Sequence, residues 1–232
     1  MMTRLKRLLI KMQIIKKNSI INRAIEKLIA ANLENPITDC NRLFKYSTGY
    51  DMVSHGRSNT LDKLDEKIFN FALRRRLSHE PVSYITGFRY FWKKIFFVGK
   101  QALDPRPETE LIIEQVLDIP SSNLSLFELG TGTGCVAISI ALEKPDFKVF
   151  ASDISLDALR LAELNSRRLG ANVEFLKSNC FSHINQKFDV IISNPPYVSE
   201  EDYYLLPLGI KRFEPRIALD GGVDGLDFLR KI

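Results

Sequence analysis

Asn194-Pro195-Pro196-Tyr197 closes the apolar run from Phe188 to Ser193, and these four residue types in this order suit the capture of an amino group. Asn194 supplies an amide oxygen and Pro195 a carbonyl beside it, so a single NH2 group can donate to both. Neither proline donates from its own nitrogen, and each fixes φ at about −65°, which stiffens the turn and leaves its carbonyls available to a ligand. Tyr197 supplies a flat ring that could cover a planar group. The same four residues also make a serviceable strand-to-loop corner with no ligand at all, so the chemical reading needs a second motif in the right context.

That motif stands upstream, in Glu128-Leu129-Gly130-Thr131-Gly132-Thr133-Gly134, after the strand-like Leu124 to Phe127 and before the helical stretch Cys135 to Leu142. Glycines let the backbone turn sharply and approach a ligand, while the helix that follows offers free N–H groups. The spacing is Gly-x-Gly-x-Gly rather than the Gly-x-Gly-x-x-Gly of dinucleotide sites. At the end of the next strand, residues 148–152, stands Asp153, a carboxylate placed to accept the two ribose hydroxyls of a nucleoside. A strand, a glycine turn, a helix, a strand and an acid in this order form the nucleoside-binding half of an open α/β sheet.

The surrounding elements must bring these groups together. A helix opened by Ser155, whose hydroxyl suits an N-cap, runs to Leu169. A third strand follows over residues 173–177, and a fourth leads into Asn194. This alternation predicts a mostly parallel sheet with helices on both faces. Gly130, Asp153, Cys180 and Asn194 all fall at carboxyl ends of strands, where ligands bind in such sheets. Upstream, residues 84–103 have the aromatic and β-branched content of a hairpin or linker strand, and helical spacing returns over residues 108–117. Residues 22–33 and 61–77 read as helices of a small all-α domain, interrupted by Pro36 and by the polar stretch 47–59.

Charge is divided unevenly. Residues 1–80 carry 16 Lys and Arg against 8 Asp and Glu, and residues 81–232 carry 17 against 20. A basic N-terminal part fits an anionic partner such as RNA, or a protein lying on RNA, and fits a solvated helical surface equally well. Residues 1–20 contain six basic residues and no acid; Lys11 splits their apolar stretch, which argues against a secretory signal and for a basic helix, with an organellar presequence as the alternative. No stretch approaches the roughly 20 apolar residues of a membrane span. Cys40, Cys135 and Cys180 are scattered, and His55, His79 and His183 have no ligand spacing, so neither a disulfide framework nor a metal site is expected, and a reducing cytoplasm is the natural compartment.

Taken together, these motifs resemble the S-adenosylmethionine-dependent methyltransferases that modify the side-chain amide of glutamine in peptide chain release factors. The resemblance runs from about Glu80 to the last residue. It includes residues 81–87 with Tyr90-Phe91-Trp92, then Pro105-Arg106-Pro107-Glu108-Thr109-Glu110, and Phe213-Glu214-Pro215-Arg216 through Gly222. It implies a Rossmann-like class I methyltransferase domain over residues 108–232, reached through a hairpin or linker over 81–107 and preceded by a basic helical substrate-docking domain over 1–80. It further implies that Gly130, Thr131, Gly132, Thr133 and Gly134 carry the methionine end of S-adenosylmethionine, Asp153 the ribose, and Cys180 the edge of the adenine. Asn194, Pro195, Pro196 and Tyr197 would hold the glutamine amide, with Asn194, Pro195 and Tyr197 catalytic. The partners implied are release factors, in translation termination and near the ribosome or RNA, with no membrane.

The chain departs from that pattern at Asn179 and Cys180, where an acid and a bulky residue are usual, and at Asp104, where Ile is usual. Proteins of this fold also continue with three more strands beyond a helix expected to begin at residues 225–232. The domain is therefore expected to be incomplete at its C-terminus, leaving the fourth strand as an edge. Two other readings fit the same residues: methylation of an exocyclic amino group of DNA or RNA, or an inactive module that only binds the cofactor.

Overall fold

A computed structural model describes residues 19–52, 61–182 and 184–232. The basic helix expected over residues 1–20, apart from its last two positions, and His55 and His183 lie outside them. The chain divides into two compact units at Thr86 and Gly87.

The first unit is helical. α1 (Ser19–Ala30) and α2 (Pro36–Thr48) are followed by α3 (Lys63–Leu77) and the short α4 (Val82–Thr86). Pro36 does more than interrupt a helix. It occupies the first turn of α2, where its missing N–H costs no hydrogen bond, so a second helix stands where the sequence showed only a break. Asp62 caps α3, accepting from Leu64 N at 2.8 Å and Asp65 N at 2.9 Å. Leu28, Leu43, Phe44 and Phe69 are fully buried, and the last two rings meet edge to face. Part of the positive charge is neutralised locally: Arg76 pairs with the buried Asp39 at 2.8 Å and Arg75 with Glu80 at 2.7 Å. The segment expected as a linker is split, because the buried α4 belongs to this unit.

The second unit opens with a hairpin of β1 (Phe88–Phe91) and β2 (Lys94–Phe97). Its turn residues Trp92 and Lys93 both have positive φ, as a two-residue type I′ turn requires, although neither is of the small type that adopts it cheaply. Glu110 holds the turn by accepting Trp92 N at 2.8 Å. A 3-10 turn, Pro107–Thr109, leads into α5 (Glu110–Leu117). Then come β3 (Ser125–Leu129), α6 (Cys135–Glu143), β4 (Lys148–Asp153), α7 (Leu156–Leu169), β5 (Val173–Lys177) and β6 (Val190–Ser193). Glu128 thus lies in β3 and the turn begins at Gly130. Ser155 caps α7 through Ala158 N, as its position implied.

The four strands are parallel in the order β5-β4-β3-β6. β6 pairs only with β3 and is an edge among the described strands. Of the helices expected on both faces, the two that follow β3 and β4 share one. Right-handed crossovers from β3 to β4 and from β4 to β5 step in the same direction, which places α6 and α7 on one face. There α5 and α6 pack with Leu126, Val149 and Ala151 in a single apolar core. The return from β5 to β6 carries no helix; instead Phe181 and Phe188 lie against Phe127 on the opposite face, with the Phe127 and Phe188 rings stacked 4.5 Å apart. Beyond β6 come α8 (Glu200–Leu205) and α9 (Leu208–Phe213). The helix expected at residues 225–232 is only a 3-10 turn, Leu229–Lys231, preceded by Gly225 at φ +81°.

Candidate active site

The parallel register aligns the carboxyl ends of the strands. Leu129 pairs with Ser152 on one side and Ser193 on the other, so Gly130, Asp153 and Asn194 begin side by side at one edge of the sheet. A cavity of about 700 Å³ opens there. Gly130, Thr131, Gly132, Thr133, Asp153, Cys180, Asn194 and Pro196 line it, together with Arg106, Thr109 and Glu128. Three residues named from the sequence do not line it: Gly134, Pro195 and Tyr197. A Cβ on Gly134 would come within 2.8 Å of Ile138 Cδ1 and 3.0 Å of Ala162 Cβ, so this glycine lets α6 and α7 approach each other. Tyr197 is 68% exposed and does not contribute to the cavity wall.

The glycine turn is built around two carboxylates. Asp153 accepts Gly132 N at 2.9 Å through Oδ2 and Ser155 N at 2.9 Å through Oδ1, so it braces the turn and the start of α7 at once. Each oxygen keeps a further lone pair for a ligand hydroxyl. Burial pushes the Asp153 carboxyl up, against the pull of those backbone N–H groups. Glu128 accepts Thr131 Oγ1 at 2.5 Å and Ala137 N at 3.1 Å. Gly134 at the N-cap of α6 has no side chain to offer, and Glu128 takes over that task from the strand. Burial pushes its carboxyl up to about 7, with the Thr131 and Ala137 hydrogen bonds opposing the rise.

The other wall comes from the segments around Pro105 and Glu214. Arg106 Nη2 reaches both Glu214 oxygens, at 2.7 and 2.8 Å, and Asp104 lies 3.3 Å from Arg89 Nη1 and 4.0 Å from Arg106 Nη1. Asp104 thus joins an ionic cluster with Arg89, Arg106 and the buried Glu214. Asn194 Nδ2 donates to Thr109 Oγ1 at 3.2 Å. Behind Asn194, the chain from Tyr197 to Glu200 is held by residues 219–222: Val198 N donates to Leu219 O, Gly221 N to Val198 O and Glu200 N to Gly222 O. The roles of Glu128, Thr109 and Arg106 were not assigned from the sequence, although all three stand inside motifs it displayed. Cys180 holds a left-handed backbone at φ +51°. Cys135, at the first turn of α6, has its thiol pushed up to about 12 because burial outweighs the hydrogen bonds it receives. Among the described residues no His, Cys, Asp and Glu cluster could hold a metal ion, and no helix is long and apolar enough to cross a membrane.

The residues fit a nucleoside bound to an amino acid. The cavity has the volume of a small-molecule site. Beyond its own neighbours in the chain, no atom lies within 4 Å of the place a Cβ on Gly130 would take, and Asp153 lines the cavity with acceptor capacity left for a ligand hydroxyl. A parallel sheet with this glycine turn, this acid and an Asn-Pro-Pro-Tyr corner defines an S-adenosylmethionine-dependent methyltransferase. Residues 99–206 match the methyltransferase small domain, and residues 19–87 match the PrmC N-terminal domain. The chain is 40% identical to the release factor glutamine methyltransferase of Neisseria gonorrhoeae, over 85% of its own length and 74% of that protein. It is 37% identical to that of Koribacter versatilis, over 90% and 77%, and 36% identical to that of Escherichia coli, over 89% and 75%. The chain belongs to the release factor glutamine methyltransferase family, and it spans about three quarters of the length of these relatives.

Proposed function

We propose that the protein methylates the side-chain amide nitrogen, N5, of a glutamine in peptide chain release factors, using S-adenosylmethionine. One observation carries the reading: Asn194 opens into the same cavity as Asp153 and the glycine turn, with its Nδ2 taken by Thr109 and its Oδ1 without a protein hydrogen-bond partner among the described residues. Bound S-adenosylmethionine would supply a methyl group on a sulfonium, already activated and departing as a neutral thioether. Gly130 to Thr133 would hold its amino-acid end, Asp153 its ribose, and Ser178 to Cys180 would lie beside its base.

An amide nitrogen is a poor nucleophile because its lone pair is shared with the carbonyl. Asn194 Oδ1, accepting one N–H, would favour a pyramidal nitrogen and turn its lone pair toward the methyl group; the Pro195 carbonyl, which does not line the cavity, would have to turn inward to accept the second. Acceptors placed so would stabilise the positive charge that nitrogen gains in the transition state. Orientation is the larger part of such a transfer, so no strong base is required before it. The basic balance of residues 1–80 suits a docking role for the helical unit, with an acceptor that works beside RNA in the translation machinery of the cytoplasm.

Labelled S-adenosylmethionine offered with purified release factor, ribosomal RNA and DNA in parallel tests the proposal. Label in the release factor, mapped to a glutamine by peptide mass, is the expected result. Label only in nucleic acid would overturn it in favour of an exocyclic amine, and cofactor binding with no label anywhere would leave a binding module.

A further inference from the structure

Thr109 sits where a threonine ordinarily caps its own helix. It precedes α5, yet its side chain makes no capping hydrogen bond, and its backbone is already helical at φ −69° and ψ −19°. Its hydroxyl instead accepts from Asn194 Nδ2, across 85 positions of sequence. The backbone at Asn194 is constrained on both sides, because Ser193 Oγ donates to Leu129 O at 2.9 Å and Pro195 follows. What remains free is rotation of the Asn194 carboxamide. A half-turn exchanges its oxygen for an NH2 group and would present donors to an acceptor amide that itself needs acceptors.

We propose that Thr109 is a positioning residue for methyl transfer: its hydroxyl, by accepting from Nδ2, anchors the Asn194 carboxamide against rotation at the cavity and in this geometry leaves Oδ1 to the acceptor nitrogen. The inference rests on the amide-clamp reading of Asn194 but not on which amine is methylated, since any NH2 group needs the same acceptor. Thr109 also stands between two anchored positions, Arg106 on Glu214 and Glu110 on Trp92, so its hydroxyl has little freedom to leave.

The test compares Thr109→Val, which keeps the shape and removes the hydroxyl, with Thr109→Ser, which keeps the hydroxyl. Protein labelled with 15N-asparagine is observed by NMR, with the Asn194 carboxamide assigned by its loss in Asn194→Ala. One Asn194 amide proton should exchange slowly in the wild type and in Thr109→Ser, and rapidly in Thr109→Val. This arm needs no acceptor, so it is decided even if the enzyme methylates nothing offered to it. In turnover with release factor or with adenine-containing DNA, whichever accepts methyl, Thr109→Val should lower kcat about 3- to 10-fold, the population change a single hydrogen bond supports. Its KM for S-adenosylmethionine should stay within twofold, and Thr109→Ser should restore kcat. Turnover on DNA alone with this pattern would support Thr109 while sinking the release factor assignment. Unchanged proton exchange in Thr109→Val, or a parallel loss of cofactor affinity and melting temperature, would overturn the proposal.

Discussion

Arg106 Nη2 lies between the two carboxylate oxygens of Glu214, 2.7 and 2.8 Å away, and joins segments 108 positions apart around a carboxylate that is 1% exposed. Burial pushes the Glu214 carboxyl up, and the Arg106 charge opposes that rise. Arg106→Ala leaves the carboxylate buried without this partner and should cost about 3 kcal/mol, the low end for a broken buried pair because Arg106 is itself partly exposed. The double variant Arg106→Met with Glu214→Leu should cost less than Arg106→Ala alone. Urea unfolding of the three proteins checks the order, and equal losses would mean that the pair is not what holds this wall.

Asn194→Ala should lower kcat by about 10²–10³, the scale for removing one transition-state partner, while S-adenosylmethionine binding changes by no more than several-fold. Single-turnover rates and calorimetry separate the two. Near-normal turnover would remove Asn194 from the amide clamp.

Asp153 should act on the cofactor side. Asp153→Ala should weaken S-adenosylmethionine by about 1.5–3 kcal/mol, the range for hydrogen bonds to a charged group. Because Asp153 also braces Gly132 N and Ser155 N, the melting temperature without ligand should fall as well. Unchanged affinity by calorimetry would place the ribose elsewhere.

Glu128 should make stability fall with rising pH. Its carboxyl is raised from 4.5 to about 7 in the folded protein, so between those values the folded state keeps a proton that the unfolded chain has released. Stability from this group is therefore full below about pH 4.5, declines up to about pH 7 and is lost above, by at most about 3 kcal/mol. Glu128→Gln, whose oxygen can still accept from Thr131 and Ala137, should match the wild type near pH 5 and exceed it at pH 8. Denaturant midpoints across this range check the slope; parallel curves would show that Glu128 does not titrate there.

Gly225 and Gly170 offer a matched pair. Both have positive φ, +81° and +71°, so alanine costs each about 1–2 kcal/mol of backbone strain. A Cβ at Gly225 would stand 2.5 Å from Tyr197 O, whereas nothing lies within 4 Å of one at Gly170. Gly225→Ala should therefore displace the Asn-Pro-Pro-Tyr corner and reduce kcat about 10-fold or more, with Gly170→Ala within about twofold of the wild type in the same assay. Equal kcat values in the two variants would show that the corner tolerates the displacement.

The sequence alone determined what near neighbours encode. Ser155 before an apolar-periodic stretch is a helix cap, Gly130 and Gly132 allow a turn that larger residues resist, and Pro195 and Pro196 stiffen the corner after Asn194, because each of these effects acts over a few residues. The tertiary structure decided what distant residues do to one another. Asn165 would pass for an exposed polar residue of α7, yet it is fully buried, accepting Phe97 N and donating to Phe97 O and Thr133 O, and so ties the hairpin to the glycine turn. Glu128 reads as part of a motif, and only the fold reveals it as the cap of α6. Pro36 reads as a break and begins α2. Thr109 reads as one member of the motif over residues 105–110 and is committed to Asn194. A side-chain hydrogen bond across 85 residues leaves no periodic trace in the sequence, because its geometry exists only after the parallel register has brought the two segments to the same edge of the sheet.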